Sequence, residues 1–440
     1  MSSISNPEIE ALVQDDRVHR SVYSDPAIFE MEMSQLFGKA WLILGHESQI
    51  AQPGDYFCTE MARQPVIVAR HEDGSVQVLF NRCSHRGAMV CHEQSGNAKQ
   101  FVCPYHGWTF ETNGKLRFVP IAHNYGEDFA ARMPQLNLTP VARVDSYRGF
   151  IFASLAAEGP SLLDFLGHLT SSFDDLVDRS PTGEIEIAGG VFKHAYNGNW
   201  KLVLENHNDN VHPAFVHASS VYAAGVTETV GSTPVSDISI RQMKQNGAPP
   251  DVWEKLGLWT AGHGHSYMGD YHDDKRLVAG LQNPVFEEYA EALTARLGEE
   301  RTEDVLSVSR FNSIVYPNCS FMSQFRQLRI VHPVSVDRTV VYTYSFRMKG
   351  APPALFQDTI AFGNVVNGTA SWVLTDDLEV YERAQKGLTG QLSDWVYLGR
   401  GFGEDRPDEH AMMRGSTGTS EIHIRGQFAA WKNYMTGNAA

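Results

Sequence analysis

The stretches Cys83-Ser-His85-Arg-Gly87 and Cys103-Pro-Tyr-His106-Gly-Trp108 each place a cysteine and a histidine on a short glycine-containing segment, with 17 residues between His85 and Cys103. Short runs of apolar residues lie on either side, interrupted by Asp73-Gly74 and Asn113-Gly114. Asp-Gly and Asn-Gly favour β-hairpins, because both central residues of a type I′ turn need a positive φ. The pattern predicts a small all-β module that presents the two Cys/His pairs on opposed loop tips.

Two kinds of metal site use such a set. A [2Fe–2S] cluster with mixed ligands takes two thiolates on one iron and two imidazoles on the other. Zinc also binds two cysteines and two histidines, but helical zinc fingers use other spacings. The spacing therefore favours the iron–sulfur cluster, with the ligands Cys83, His85, Cys103 and His106. Cys91 and His92 fall outside the pattern and are interpreted as packing or surface residues.

The composition is that of a globular enzyme of two domains: 440 residues, 42% hydrophobic, with a formal net charge of −16. Scattered acidic residues argue against a nucleic-acid surface. The N-terminus lacks the features of a signal peptide, and no apolar run approaches the ~20 residues that span a bilayer. Five cysteines do not resemble a secreted disulfide framework. We expect a cytoplasmic protein without membrane contact.

The domain organisation follows from changes in pattern. Asp25-Pro26 predicts an N-cap and first helical position for an amphipathic helix, so residues 1–40 are interpreted as an N-terminal helical arm that packs on the domain formed by residues 158–440. Residues 41–157 form the β module, and Gly159-Pro160 ends it. Residues 158–440 combine antiparallel strands with helices, which predicts an α+β fold. Residues 221–283 show no clear period and are read as pocket-lining or surface loops.

A second set of metal-binding residue types lies in NWKLVLENHNDNVHPAFVH, residues 199–217. Glu205, Asp209 and His212 have the i, i+4, i+7 spacing that shares one face of a helix. His217 does not fit that face, but Pro213 disfavours a continuous helix and can start a new one in which His217 turns back. Alone, such a histidine pair is more often structural; beside the first motif, a metal site is favoured.

Two imidazoles and one carboxylate leave adjacent open positions on a non-haem iron for O2 and substrate. The carboxylate has to come from another part of the chain. WVLTDDLEVYERAQKGL, residues 372–388, offers Asp376 and Asp377.

CSHRG with CPYHGW resembles the Rieske motif of ring-hydroxylating oxygenases, without the extra disulfide-forming cysteines of respiratory Rieske proteins. Residues 372–388 resemble the acidic motif of the same family, which makes Asp377 the ligand and leaves Asp376 as the alternative. The resemblance covers nearly the whole chain. It implies the large (alpha) subunit of a Rieske non-haem iron oxygenase: an all-β Rieske domain and a helix-grip, START-like catalytic domain, with a [2Fe–2S] cluster and a mononuclear Fe(II).

The family's assembly implies more. Its members are homotrimers or α3β3 complexes, in which an acid connects the cluster of one subunit to the iron of the next. In this chain that acid is Asp209, between His106 of one subunit and His212 of its neighbour. Electrons come from NAD(P)H through a ferredoxin or flavin reductase. The expected reaction is hydroxylation of a small aromatic substrate with O2, most simply cis-dihydroxylation. Monooxygenation, demethylation and a non-catalytic electron carrier remain alternatives, and the β subunit stays open.

The substrate is less well defined. The family's usual Asp-x-Tyr-His is Asp-Asn-Val-His here, with Val211 at the Tyr position, so the pocket wall differs. Arg329 and Arg425 resemble residues that contact a carboxylate in terephthalate dioxygenases, and arginine binds carboxylates through two parallel hydrogen bonds. Either arginine could equally be a structural ion-pair partner. The expected substrate contacts are Arg329, Arg425, Glu205 and Val211, with an aromatic acid preferred.

Overall fold

The computed structural model describes residues 4–230, 240, 243–244, 246–269, 284–306, 310–368 and 371–438. In the segment 221–283, where the sequence predicts pocket-lining or surface loops, the described residues include the helix Ala218–Val230 and the strands Gly257–Thr260 and Ser266–Gly269, so the prediction of loops is wrong there. Residues 231–239, 241–242, 245 and 270–283 lie outside the described residues. The chain forms two compact units, Phe37–Leu162 and the combination of Met1–Leu36 with Leu163–Ala440. No described helix has both the length and the apolar character needed to cross a membrane.

The strands, in chain order, are β1 Val13–Gln14, β2 Arg17–His19, β3 Leu42–His46, β4 Asp55–Met61, β5 Gln64–Arg70, β6 Val76–Phe80, β7 Ser95–Asn97, β8 Gln100–Val102, β9 Thr109–Glu111, β10 Leu116–Phe118, β11 Arg143–Tyr147, β12 Phe150–Ser154, β13 Ile185–Tyr196, β14 Gly257–Thr260, β15 Ser266–Gly269, β16 Asn312–Val315, β17 Cys319–Met322, β18 Gln327–Ser335, β19 Arg338–Met348, β20 Trp395–Tyr397, β21 Arg406–Pro407 and β22 Met413–Arg414. The described α-helices are α1 Asn6–Ala11, α2 Ser21–Ser24, α3 Pro26–Gln35, α4 Phe129–Arg132, α5 Leu162–Leu166, α6 Thr170–Asp178, α7 Lys201–His207, α8 His212–Val216, α9 Ala218–Val230, α10 Pro250–Trp253, α11 Pro284–Leu297, α12 Glu299–Leu306, α13 Pro353–Asn367, α14 Leu374–Leu388 and α15 Ile422–Thr436.

The smaller unit is built from three antiparallel sheets with strand orders β6-β5-β4-β7, β10-β9-β8 and β11-β12-β3. Both predicted hairpins are confirmed: β5 pairs with β6 around Asp73-Gly74, and β9 pairs with β10 around Asn113-Gly114. Gly74 and Gly114 have φ values of +85° and +87°, which glycine adopts without strain. Asp73 and Asn113 do not have a positive φ, so the hairpins form at the predicted positions but not as type I′ turns.

The smaller unit extends beyond the expected limits, to Phe37 and Leu162 rather than 41 and 157. The Trp41 indole N–H and the Arg143 guanidinium both donate to the Pro160 carbonyl, at 3.0 and 2.8 Å. These hydrogen bonds attach the segment after residue 157 to the β module, so Gly159-Pro160 lies inside this unit instead of at its end.

The larger unit contains a nine-stranded antiparallel sheet with the order β13-β19-β18-β17-β16-β15-β14-β22-β21. β13 and β19 pair along their length from Ile185↔Met348 to Tyr196↔Thr339, and α13 packs against β19. With the all-β unit and this helix-covered sheet, the predicted α+β fold class is confirmed.

The N-terminal segment is part of the larger unit. Asp25 caps α3 by accepting a hydrogen bond from the Ala27 N–H at 2.7 Å, as its sequence position predicts. Farther along α3, the fully buried Glu32 accepts hydrogen bonds from the indole N–H groups of Trp200 and Trp431, at 2.8 and 2.7 Å, and pairs with the Lys201 ammonium. Burial lowers the pKa of Lys201, and the Glu32 carboxylate opposes that shift. One carboxylate thus connects α3, α7 and α15.

Replacing Glu32 with Ala is expected to lower the free energy of unfolding by about 3–5 kcal/mol, because it leaves the Lys201 charge and two indole N–H groups buried without a partner. The control is Glu379→Gln, which removes an exposed i, i+4 pair with Arg383 and should change stability by less than ~1 kcal/mol. Chemical denaturation measures both. Equal, small effects would contradict the assigned role of Glu32.

Candidate active site

The two Cys/His loops have the same backbone design. In the first, the Gly87 N–H donates to the Cys83 carbonyl at 2.9 Å; in the second, the Gly107 N–H donates to the Cys103 carbonyl at 3.0 Å. Gly87 and Gly107 have φ values of +76° and +70°, so a side chain at either position would be strained. The glycine after each motif therefore closes a tight loop around its cysteine and histidine.

The side chains in these loops are arranged by type. The thiols of Cys83 and Cys103 are hydrogen-bonded, and the rings of His85 and His106 lie with centroids 4.5 Å apart. Both histidines have a buried Nδ1 atom that finds no hydrogen-bond partner among the residues that the structure describes. Among the described residues, the four do not form a group whose ligand atoms converge on a single ion. A thiol pair beside an imidazole pair fits a two-iron cluster better than one tetrahedral zinc.

The second constellation depends on a break between two helices. Helix α7 ends at His207 and α8 begins at His212, so the predicted single helical face of Glu205, Asp209 and His212 is wrong. Asp209 Oδ1 accepts hydrogen bonds from the backbone N–H groups of Val211 and His212, at 2.6 and 3.3 Å. This local bonding competes with helix continuation. Pro213 then occupies the first turn of α8, in agreement with the predicted new helix.

His212, His217 and Asp377 converge at one point. The Asp377 Oδ1 atom lies 3.8 Å from His212 Nε2 and 3.4 Å from His217 Nε2, and one ligand atom from each residue lies within 4.8 Å of the others. His217 follows α8, whereas Asp377 is in the first turn of α14. Two imidazoles and one carboxylate thus meet as in a 2-His-1-carboxylate iron site.

The neighbouring Asp376 approaches from a different side. Its Oδ2 atom lies 3.5 Å from His217 Nδ1 and 3.3 Å from the Ser219 hydroxyl, which donates to it. Asp376 therefore contacts the ring nitrogen of His217 that points away from Asp377. No hydrogen bond joins His217 Nδ1 to a partner in the described part of the chain, but a carboxylate beside that nitrogen favours the ring orientation in which Nε2 faces Asp377.

Asp209 lies next to this group but makes no hydrogen bond to the His212 imidazole. The His212 Nδ1 atom is buried and has no partner in the described part of the chain. The second Asp209 oxygen lies 3.6 Å from the Arg400 guanidinium. Burial raises the pKa of Asp209, but His212, the Val211 N–H and Arg400 together lower it below its usual value. Asp209 is therefore an ionised acid beside His212, and its link to a second subunit stays a prediction.

A cavity of about 130 Å³ adjoins the two histidines and Asp377. Most of its described wall is apolar, formed by Val203, Met243, Trp253, Met268, Phe311, Met322, Val341, Phe362, Val366, Val373 and Leu374. The polar wall residues include His194, Asn206, His207, Asn312 and Arg329. The shape and chemistry suit an apolar ligand with one polar end.

Arg329 is the predicted substrate residue that lines this cavity. Only 9% of the residue is exposed, and burial lowers the pKa of its guanidinium to about 10. Its described hydrogen-bond partners are the Ser320 hydroxyl, at 3.4 Å, and the Met322 sulfur, so no described carboxylate neutralises it directly. A buried cation without an anionic partner is costly unless a ligand supplies the charge.

The other three predicted substrate contacts lie elsewhere. Arg425 donates to the backbone carbonyls of Leu398 and Arg400 and forms a 2.6 Å ion pair with Asp405, the structural alternative considered for it. Glu205 is a partly buried residue of α7, where burial raises its pKa to about 7, with the Tyr23 hydroxyl opposing the shift. Neither residue borders the cavity, and nor does Val211. We correct the expectation for all three.

Two cavity residues, His194 and His207, were not assigned from the sequence, and neither was Ser320, which contacts His207 and Arg329. His194 lies on β13, whereas the His207 ring contacts the Ser320 hydroxyl on β17 at 2.7 Å. Their proximity to Arg329 depends on the order of strands in the nine-stranded sheet. No local spacing in the sequence signals that order.

Comparison with known families agrees with both sites. Residues 40–141 match the Rieske [2Fe-2S] domain, and residues 182–436 match the catalytic domain of the ring-hydroxylating alpha subunit. The chain belongs to the ring-hydroxylating alpha subunits. The family is an oxidoreductase family, and its cofactors are a Rieske [2Fe–2S] cluster and a mononuclear iron.

Several relatives align over most of their length. The chain is 35% identical to toluate 1,2-dioxygenase subunit alpha of Pseudomonas putida, over 92% of this chain and 87% of the relative. It is 34% identical to the 2-halobenzoate 1,2-dioxygenase large subunit of Burkholderia cepacia, over 91% and 83%. A naphthalene 1,2-dioxygenase solved with indole bound superposes with a TM-score of 0.82 at 28% identity, covering 97% of this chain and 94% of that one. Family members are oxygenase components that work with a reductase or ferredoxin.

Because Asp376 and Asp377 occupy different positions, replacing each one is expected to change iron binding differently. Asp377→Ala should lose the mononuclear iron and keep the visible absorption of the cluster, because one of three converging ligands is removed. Asp376→Asn should still bind that iron at saturating Fe(II), with an affinity lower by about 10- to 100-fold. Iron titration of apoprotein measures both. A reversed outcome, in which Asp376 is essential and Asp377 dispensable, would contradict the geometry.

Proposed function

We propose that this chain is the oxygenase component that dihydroxylates the ring of a small aromatic carboxylate. The observation that carries the proposal is the buried guanidinium of Arg329 in the same cavity as His212, His217 and Asp377. The relatives named for toluate, 2-halobenzoate and anthranilate all act on aromatic acids, which supports the same class.

His212, His217 and Asp377 would hold the mononuclear iron through Nε2, Nε2 and a carboxylate oxygen. Bound iron supplies the activation of O2, which protein side chains cannot perform. The protein's part is to orient both imidazoles. Asp376 lies 3.5 Å from the outer ring nitrogen of His217. Burial favours the neutral form of His212 by lowering its pKa, against the opposing charges of Asp377 and Asp209.

Cys83, Cys103, His85 and His106 would hold the cluster, which would supply the electrons, and the proposed source of those electrons is NAD(P)H through a ferredoxin or flavin reductase. We propose that Asp209 connects His212 to His106 of a neighbouring subunit in a trimer, with or without a β subunit. The unpaired Nδ1 of His212 and the ionised carboxylate of Asp209 beside it support this role. A carboxylate between two imidazoles can accept an N–H from each and so fix both rings.

Asp209→Asn tests the connection. Both metal centres should stay loaded, whereas reoxidation of the dithionite-reduced cluster by O2 and substrate should slow by at least about 10- to 100-fold, because the acceptor of both imidazole protons is weakened. Asp251→Asn, at an exposed acid of α10, is the control. Stopped-flow absorption follows the cluster. Unchanged reoxidation in Asp209→Asn would refute the bridge.

The cavity supports a single-ring substrate. Its volume of about 130 Å³ is comparable to the ~150 Å³ apolar cavity that accepts benzene in another protein. The ring would pack against the apolar wall while the carboxylate binds Arg329, with the Ser320 hydroxyl beside it. Such charge-assisted bonds fix one end of the substrate and thereby select which ring carbons face the metal site.

Replacing Arg329 with Gln tests the substrate class. For benzoate-type substrates kcat/KM should fall by about a hundredfold, equivalent to ~2.7 kcal/mol, because a buried charge pair is lost. For a neutral ring of similar size, such as toluene, kcat/KM should fall far less. Product formation with the ferredoxin and reductase supplied gives both values. Equal losses for acid and neutral substrates would show that Arg329 is structural.

A further inference from the structure

Two cysteines of the smaller unit are not part of the cluster motif but lie against each other. Cys58 is on β4, and Cys91 is in the loop between β6 and β7. Their side chains are hydrogen-bonded to each other, and neither cysteine forms a disulfide. Cys91 belongs to the hydrophobic core that also contains Cys83, Cys103 and Trp108, and Cys58 packs against that core. The pair is therefore a dithiol within the module that carries the iron–sulfur motif.

Asn81 fixes the position of the pair. Its side-chain amide donates to the Cys91 carbonyl at 2.5 Å and lies 3.9 Å from the Cys58 sulfur. The side-chain oxygen Oδ1 of Asn81 accepts hydrogen bonds from the backbone N–H groups of Val90 and Cys91, at 2.8 and 3.0 Å. The Cys58 N–H donates to the Gln94 carbonyl at 2.9 Å, just before β7 joins β4. Both backbone segments are thus held in place independently of any bond between the sulfurs.

The two thiols differ in access and in reactivity. Cys58 is half-buried, whereas Cys91 is buried. The hydrogen bond from Cys91 lowers the pKa of the Cys58 thiol and so favours its thiolate form. Burial acts in the opposite direction and raises this pKa. A thiolate that small oxidants can reach, with a second thiol in contact, is the arrangement of a thiol that oxidises and is then resolved into a disulfide.

We propose that Cys58 and Cys91 are a peroxide-reactive pair that closes to a disulfide next to the cluster-binding loop. The Cys58 thiolate attacks hydrogen peroxide, which breaks the O–O bond and gives a sulfenic acid with release of hydroxide. The Cys91 thiol then displaces the sulfenic hydroxyl, which leaves as water. Two thiols and one peroxide thus become one disulfide and two waters. Hydrogen peroxide is the two-electron reduction product of O2, the co-substrate of the family.

The disulfide would join β4 covalently to the loop that follows the Cys83–His85 motif. Asn81 already connects that loop to the chain two residues before Cys83. The oxidised form should therefore restrict the loop that holds one half of the cluster. We expect the oxidised protein to lose its cluster absorption several-fold more slowly in denaturant than the reduced protein, because a crosslink limits local opening.

The experiment uses the full-length protein with its cluster loaded. It is treated with one equivalent of hydrogen peroxide, alkylated with iodoacetamide and digested without reductant for mass spectrometry. The expected product is a Cys58–Cys91 peptide pair about 2 Da lighter than the two free-thiol peptides and released by dithiothreitol. Cys319, a fully buried thiol of the larger unit, should remain unmodified by peroxide and serves as the internal control.

Variants separate the two chemical steps. In Cys91→Ser, dimedone should label Cys58 as a sulfenic acid, because the resolving thiol is missing; the wild type should show little label. Cys319→Ser should behave as the wild type, and visible absorption confirms that each variant keeps its cluster. The proposal is overturned if Cys58 and Cys91 are both alkylated after peroxide treatment, or if dimedone labels Cys58 equally in the wild type and in Cys91→Ser.

Discussion

The iron site depends on the interruption of helical structure between His207 and His212. On one continuous helix His217 would turn away from His212, because five residues advance the helix by about 140° beyond a full turn. Asp209 prevents that geometry by binding the backbone N–H groups of Val211 and His212, and Pro213 starts the next helix. Asp377 can then reach both imidazoles from the first turn of α14. The same acid that binds the backbone just before α8 is the one proposed to carry the connection between subunits.

The two metal motifs are positioned by different means. The cluster loops are closed by local hydrogen bonds and by glycines in the left-handed region, so their geometry is contained within a few residues of each cysteine. The iron site joins distant segments and needs the packing of the larger unit. There Glu32 links α3, α7 and α15 through one buried carboxylate. Loss of that contact is expected to destabilise α7, which directly precedes the iron site in the chain.

The sequence predicts most reliably what is local. The Asp25 cap forms as its capping chemistry requires, and the hairpins form at Asp73-Gly74 and Asn113-Gly114, although not as type I′ turns. The shared face of Glu205, Asp209 and His212 was wrong, because periodicity does not register an Asp side chain that bonds the backbone. The sequence alone does not show which of Arg329 and Arg425 faces a substrate cavity and which forms a structural ion pair. Their environments depend on strand order and on a partner, Asp405, that is close to Arg425 only in the folded chain.

Analysis of iron and acid-labile sulfide tests most directly whether one polypeptide holds two kinds of iron centre. Anaerobically purified protein should contain about three irons and two sulfides per chain, with an EPR signal of the mixed-ligand cluster that appears on dithionite reduction. Zinc without sulfide would contradict the account. So would two irons per chain in the wild type and the same two irons per chain after His212 and His217 are replaced.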